Sequence, residues 1–501
     1  MGGRLGGGAS TFEDEAAWAQ REFGGANLGD QRRTARLVSM AAGLAAKPAG
    51  RITEVFEKDA DRQGAYGFLE NEPIVAETIR RSSCLASAKR FPADSFVFVP
   101  TDGSSLTLRD PRGLRELGPV GTDQACARGL EVMNAIAVEP DGTPLGLCGQ
   151  AWWVRRERPR RGRKRQRGGS REARRRAKQR AKRKAKRRVR KPFEEKETRF
   201  WVQVVEQVRQ ARHEAGVRCR LWFQLDRGGD FGEMLANAVD HPEDWFTIRA
   251  AQDRRTREAG DAGSLWKAVE GTKPLGRYCL KVPTGRKRKA RMAEMEVRAC
   301  QVTLELRHPS KSRWRLVTLG AVLTRERGTP PPGEELIEWL LLTTHPVNRF
   351  ADACLVVKGY AQRWRVEQFH KTWKSTCRVE TNELRRPERI KKWATISAAV
   401  AMRIERLTYL ARTAPDLPAT TELTQAEVNA IVLLKKPTGY RWGDVPSIAT
   451  AVRWIADLGG YTGKSSGGPP GAIVIGRGLK RIEPVVIALR NMAELKAQGE
   501  M

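Results

Sequence analysis

The order of apolar and polar positions divides the chain into stretches of different period. Residues 12–76 read as helical. From Gln31 onward Leu37, Met40, Ala41 and Leu44 fall on one side of a helix, and Arg32, Arg33 and Arg36 on another. Asp30 stands where an N-cap is wanted. The basic side suits a helix laid on DNA. Beyond this region short apolar runs appear. Phe96–Val99 predicts a buried strand that ends at Pro100-Thr101-Asp102, and Leu130–Val138 a second. Pro140-Asp141-Gly142 is a turn, and Leu145–Val154 a third strand. A helix over Thr198–Ala215 leads into a fourth strand, Leu221–Leu225, which stops at Asp226. A helix over Phe231–Val239 and a fifth strand at Trp245–Ala250 complete the series. This order gives a mixed five-stranded α/β sheet with helices over it. If the first and fourth strands are parallel neighbours, Asp102 and Asp226 meet at strand C-termini, where such sheets bind ligands.

Residues 257–345 change character. Gly and Pro become frequent, and β runs such as Val302–Leu306, Leu316–Leu323 and Glu338–Thr343 are broken by Pro330-Pro331-Pro332-Gly333. A β-rich insertion is expected there. Phe350–Arg378 holds no proline and one glycine, which predicts a long helix.

Composition narrows the class. With 40% hydrophobic residues the 501-residue chain can build several packed domains. The best apolar stretch, Trp393–Ala411, is interrupted by Arg403, Glu405 and Arg406, so no membrane span is expected. The polar opening residues lead to no expectation of a secretory leader. The eight cysteines are scattered with no two closer than 21 residues, which excludes a CxxC zinc site and predicts reduced thiols. Gly459–Ser465 has the look of a phosphate loop but has Leu458 where a glycine is required, and a helix precedes it. Charge changes the picture most. The net charge is +34, which calls for a polyanionic partner, foremost nucleic acid. Arg155–Lys191 alone carries 23 basic and two acidic residues, a net of +21, and reads as a solvated arm or a helix formed on phosphates.

The candidate chemistry sits in the long helix. Tyr360, Arg363, Glu367 and Lys374 fall at about 0°, −60°, −20° and −40° around its axis, with Lys371 near +20°. A carboxylate among cations and a phenol makes a poor core stripe and a good phosphate-handling one, although a salt-bridged surface helix would also fit.

Tyr360-x-x-Arg363-x-x-x-Glu367 followed by Lys374 resembles the YREK signature of the IS-four family of bacterial DDE transposases, the Tn-five type. Leu28–Leu37 and Gly64–Phe68 are similar to that family's end-binding segment. Thr101–Leu106 and Leu225–Arg227 resemble the segments that carry its two aspartates. Trp339–Thr343 matches a strand of its β insertion, and Ile455–Tyr461 its C-terminal domain.

The resemblance implies a ribonuclease-H-like catalytic core with a β-rich insertion and helical terminal domains. It divides the chain into an end-binding domain (1–77), a first core part (78–256, with the arm 155–191), the insertion (257–345), a second core part (346–385) and a C-terminal dimerisation domain (386–501). It implies cut-and-paste transposition, in which transposon ends are bound, cleaved by way of a hairpin and joined to target DNA. Asp102, Asp226 and Glu367 would hold two Mg²⁺, for which Mn²⁺ could substitute. Tyr360, Arg363, Lys371 and Lys374 would hold phosphates. Trp339 would stack on a flipped base, and Arg32, Arg33 and Arg36 would contact end DNA. The partners implied are double-stranded DNA and a second copy of the chain, in a bacterial cytoplasm on the nucleoid.

The arm is an addition to that pattern, and Gly467–Leu479 lacks the tryptophans expected near the chain's end, which leaves dimerisation open there. Asp230, four residues after Asp226, is a rival ligand. A ribonuclease-H-like nuclease without strand transfer, a noncatalytic DNA-binding protein and a basic RNA-associated protein are the competing readings.

Overall fold

In a computed structural model the chain is described over residues 15–121, 127–156, 192–257, 262–285, 289–307, 314–463 and 468–498. All but the first two residues of the basic arm lie outside these segments.

Among the described residues five helices come first: α1 (Glu15–Phe23), α2 (Gln31–Ala46), α3 (Ile52–Val55), α4 (Asp59–Glu70) and α5 (Ala76–Ala88). Asp30 caps α2 by accepting the Arg32 amide at 2.8 Å, and Leu37, Met40, Ala41 and Leu44 are buried, as their spacing requires.

The sheet is built from β1 (Phe96–Thr107), β2 (Gly118–Pro119), β3 (Arg128–Val138), β4 (Pro144–Trp153), β5 (Arg220–Leu225) and β6 (Trp245–Arg249), with β7 (Arg255–Arg257), β8 (Ala262–Ser264), β9 (Gly276–Val282), β10 (Arg291–Arg307), β11 (Trp314–Glu326) and β12 (Glu338–Thr343) from the following region. The five strands expected from the sequence lie side by side as β4-β3-β1-β5-β6. β1, β5 and β6 are parallel, β3 runs antiparallel to β1, and β4 pairs antiparallel with β3.

The β-rich stretch is no separate body. β12 pairs antiparallel with β6, so β11 and β10 extend the same sheet to 12 strands among the described residues. β6 would otherwise present unpaired backbone groups, and β12 satisfies them.

Side-chain parity assigns the layers. Val97 and Val99 of β1 and Leu221 and Phe223 of β5 join one core, under α5, α6 (Arg199–Glu214) and α7 (Gly232–Asp240). Phe98 and Trp222 point the other way, toward α9 (Phe350–Gln362), α10 (Trp364–Lys371) and α11 (Pro387–Thr413). A short helix α8 (Leu265–Glu270) lies between β8 and β9 in the chain. Three further helices close the chain: α12 (Gln425–Lys435), α13 (Ile448–Leu458) and α14 (Ala472–Gln498).

Two expectations are corrected. Asp102 does not end its strand. Gly103–Thr107 continue β1 because β3 still offers a ladder, pairing Asp102 with Asn134 and Thr107 with Gly129. Only β5 stops, its last pair with β1 being Thr101 and Leu225. The long helix is also not uniform. It is interrupted at Arg363, which keeps right-handed helical angles, and closes in a π turn over Thr372–Thr376. Arg378, placed in the helix by its sequence, is left-handed at φ 50°.

Candidate active site

The parity that sends Phe98 and Trp222 toward α9 and α10 sends Asp102 and Asp226 there as well. Parallel pairing of β1 with β5 brings the two aspartates together beyond Thr101 and Leu225. Asp226 is oriented by the Gly228 amide, which donates to it at 2.7 Å. Asp102 accepts the Gly103 amide at 2.7 Å.

Arg363 reaches in between the helices. It donates to Asp102 at 3.2 Å and to Glu367 at 2.5 Å, and its own side chain is only 13% exposed. One guanidinium thus bridges the strand carboxylate and the helix carboxylate. It does not cancel their charge. Burial, and next the Asp226 carboxylate, push the Asp102 carboxyl up from 3.8 to about 7, with Glu367 adding to the rise against the pull of Arg363. Excess negative charge on hard oxygen donors suits a divalent cation. Among the described residues no three acidic, His or Cys side chains already form a cage for one.

The other candidates divide. Tyr360 is buried, its ring 5.0 Å from that of Trp339 and 5.9 Å from the Arg363 guanidinium, and burial raises its phenol. Trp339 is half-buried at the edge of the same group, neither a closed core residue nor a free one. Lys374 donates to the Ser105 carbonyl at 2.8 Å, which holds it beside β1. Lys371 lies one turn after Glu367 on α10. It is exposed, and Glu405, on α11, feels its charge. The π turn that follows does not continue the 100° arithmetic that grouped it with Lys374.

On α2, Arg32 is exposed and paired with Asp30 at 3.0 Å, Arg33 donates to the Leu28 carbonyl at 3.1 Å, and Arg36 meets Asp61 at 3.2 Å. These three do not form one free basic face. Asp230 is disqualified by its partners. It is buried, bound by Arg254 at 2.6 Å, and accepts the Ala251 and Gln252 amides. Sequence reasoning passed over Glu131, a buried carboxylate that accepts from Ser105 at 2.8 Å and meets Arg155 at 2.7 Å. It also passed over Trp364, 57% exposed beside Arg363. An apolar strand hides the first, and a helix surface gives no warning of the second.

Comparison with known families decides the kinship. The model described as Transposase DDE domain matches residues 137–403, more than half of the chain. The chain belongs to the DDE transposases of the Tn5 type. A Transposase DNA-binding model covers residues 15–74 of the transposase, and a Transposase Tn5 dimerisation domain model covers 399–497. The last match spans Gly467–Leu479 despite its missing tryptophans. The transposase therefore has DNA-binding, nucleotidyl-transfer and dimerisation domains, and its catalytic core is ribonuclease-H-like. Enzymes of this kind use divalent metal ions. No helix among the described residues is long and apolar enough to cross a membrane.

Proposed function

We propose that the transposase excises a DNA element at its ends and joins the free 3′ ends to target DNA, by way of a hairpin, with Asp102, Asp226 and Glu367 as its metal ligands. The observation that carries the proposal is the carboxyl of Asp102. A strand aspartate held up at about 7 by burial and two nearby carboxylates, and bridged by one arginine, is built to exchange a proton for a cation. Two Mg²⁺, or Mn²⁺ in their stead, would supply an activated water or 3′-hydroxyl and neutralise the leaving oxygen.

The chain's own residues do the positioning. Arg363 is free to turn from the carboxylates to a phosphate once a cation takes their charge, and its planar fork suits two phosphate oxygens. Lys374 offers a point charge beside β1. Tyr360 supports Trp339, whose indole is available to stack on an unpaired base for about 1–3 kcal/mol. Arg32, with Arg33 and Arg36 once released from their partners, would steady the ends on α2. A second copy would bring the other end, so that each end is cut by the copy bound to its partner end.

The test uses a plasmid with the gene's own flanking DNA and Mg²⁺, beside an Asp226→Asn control. Release of the intervening segment by the wild type alone is expected. Random nicking would replace the proposal with a nuclease. Retardation without cleavage on verified ends would reduce it to a binding protein.

A further inference from the structure

Behind the carboxylates runs a chain of buried polar groups whose direction is fixed at one end. An indole only donates. Trp152 Nε1 lies 2.9 Å from Gln150 Oε1, and Thr395 Oγ1 lies 2.7 Å from the same oxygen. That oxygen is therefore the acceptor, and Gln150 turns its amide nitrogen to Asn134 Oδ1 at 2.9 Å. Asn134 must then point its own NH₂ at His370 Nε2, 3.0 Å away. A nitrogen that accepts carries no proton, so the imidazole is neutral with its proton on Nδ1. Burial acts in the same sense and pushes the imidazole down to about 3. Asn134 and Thr395 are fully buried, and Gln150 nearly so.

The two ends of this relay bear on the site. Asn134 is the direct cross-strand partner of Asp102. Directly opposed residues share a face of the sheet. His370 lies one turn after Glu367 on α10. We propose that Trp152, Gln150, Asn134 and His370 form a positioning relay that sets the Glu367 helix against the Asp102 strand, and so fixes the spacing of the carboxylates for a divalent cation. The relay rests on the assignment of Asp102 and Glu367 made above. Its members are positioning residues, since the hydrogen bonds of Asp102 and Glu367 go to Gly103 and Arg363 and not to them.

The relay also holds a neutral group where a cation would compete. A protonated His370 would set an N–H against the NH₂ of Asn134, so the network opposes a positive charge one turn from Glu367. Asn134→Asp keeps the shape but removes the donor. Its carboxylate would accept a hydrogen bond from Nε2 once that nitrogen is protonated, and so draw the imidazole toward its charged form.

The experiment measures Mn²⁺ binding to the full chain by the loss of free-ion spin resonance, with Asp102→Asn as reference. Imidazole NMR reports the state of His370. The wild type should bind Mn²⁺ in a manner that Asp102→Asn abolishes, with His370 as the Nδ1–H tautomer and not titrating above pH 5. Asn134→Asp should bind about tenfold more weakly, as outer-shell partners of metal ligands do, and His370 should titrate near neutral pH. His370→Gln keeps a neutral acceptor and should bind within threefold of the wild type, whereas His370→Leu should not. Asn134→Asp and His370→Leu proteins that are folded by circular dichroism and bind Mn²⁺ as the wild type does would overturn the relay and leave the carboxylate assignment standing. Wild-type protein with no Asp102-dependent Mn²⁺ binding would overturn both.

Discussion

At the scale of single residues the site is governed by crowded charge. The Asp102 carboxyl is raised to about 7 from an ordinary 3.8. A group raised in the folded state favours folding fully below its unfolded value, and that contribution is lost as pH rises through the folded one. Metal-free protein should lose stability between about pH 4 and pH 7 on this account, at roughly 1.4 kcal/mol for each tenfold difference in proton affinity between the folded and unfolded chain. Asp102→Asn removes the charge while keeping the Gly103 contact. Its metal-free melting temperature should exceed that of the wild type by a few degrees at pH 8 and match it at pH 4, by scanning fluorimetry. A lower value at pH 8 would show that Arg363 already neutralises the group. The same variant should cut DNA at least a thousandfold more slowly, on the order expected for a lost catalytic ligand.

At the scale of elements, α9 approaches the sheet unusually closely, and its single glycine is the reason. A Cβ at Gly359 would sit 2.6 Å from Phe98 Cε1 and 3.1 Å from Gln224 Nε2. In an exposed helix Gly→Ala gains about 1 kcal/mol. Here the aromatic ring cannot yield without moving α9 off β1, and overpacking costs about 1–3 kcal/mol. Gly359→Ala is therefore expected to lower the melting temperature, and to lower Mn²⁺ affinity with it, because Arg363 ends α9 and Glu367 follows directly on α10. A gain in stability would mean that the close approach is not required. A helix over Phe350–Arg378 was legible in the sequence because the stretch holds no proline and one glycine, and its part up to Lys371 is helical apart from the break at Arg363. The π turn was not legible. Nothing in Thr372–Thr376 distinguishes it, since it arises where Trp373 enters the core and Lys374 reaches Ser105.

At the scale of the molecule, α11 joins the parts. Its Lys392 is buried and donates to the Leu69 and Asn71 carbonyls at 2.9 and 2.8 Å, which closes the end of α4. Arg389 meets Glu70 at 2.7 Å beside it. At the far side Lys47, which follows α2, pairs with Glu57 at 2.8 Å and with Glu483 of α14 at 3.1 Å. Lys392→Met would leave two carbonyls without their donor, at about 1–3 kcal/mol each when buried. Limited proteolysis should then cut faster around residues 71–75, while the core resists as before. Unchanged cleavage would show that the apolar contacts of α11 hold the N-terminal helices by themselves. The basic arm belongs to this scale too. Removing residues 157–191 should weaken binding to duplexes of any sequence and flatten its dependence on salt, because phosphate contacts release counterions. An unchanged salt slope would show that the arm takes another partner.

The sequence by itself determined the five strands of the core sheet and the helices between them, the cap at Asp30, the charge that demands a polyanion, and the candidates Asp102, Asp226 and Glu367. These follow from periodicity, turn chemistry and residue type, which are local and survive in any context. Only the tertiary structure decided what such properties leave free. Pairing with β3 carried β1 past Asp102, and pairing with β6 drew the insertion's strands into one sheet. Partners brought by folding removed Asp230 from contention and tied Arg36 to Asp61, while Arg33 is held by the nearby Leu28 carbonyl. The relay behind the site joins residues 134, 150, 152, 370 and 395, none of which signals its partner in the sequence. A buried amide is satisfied by whatever folding brings within about 3 Å, and that choice is made between segments hundreds of residues apart.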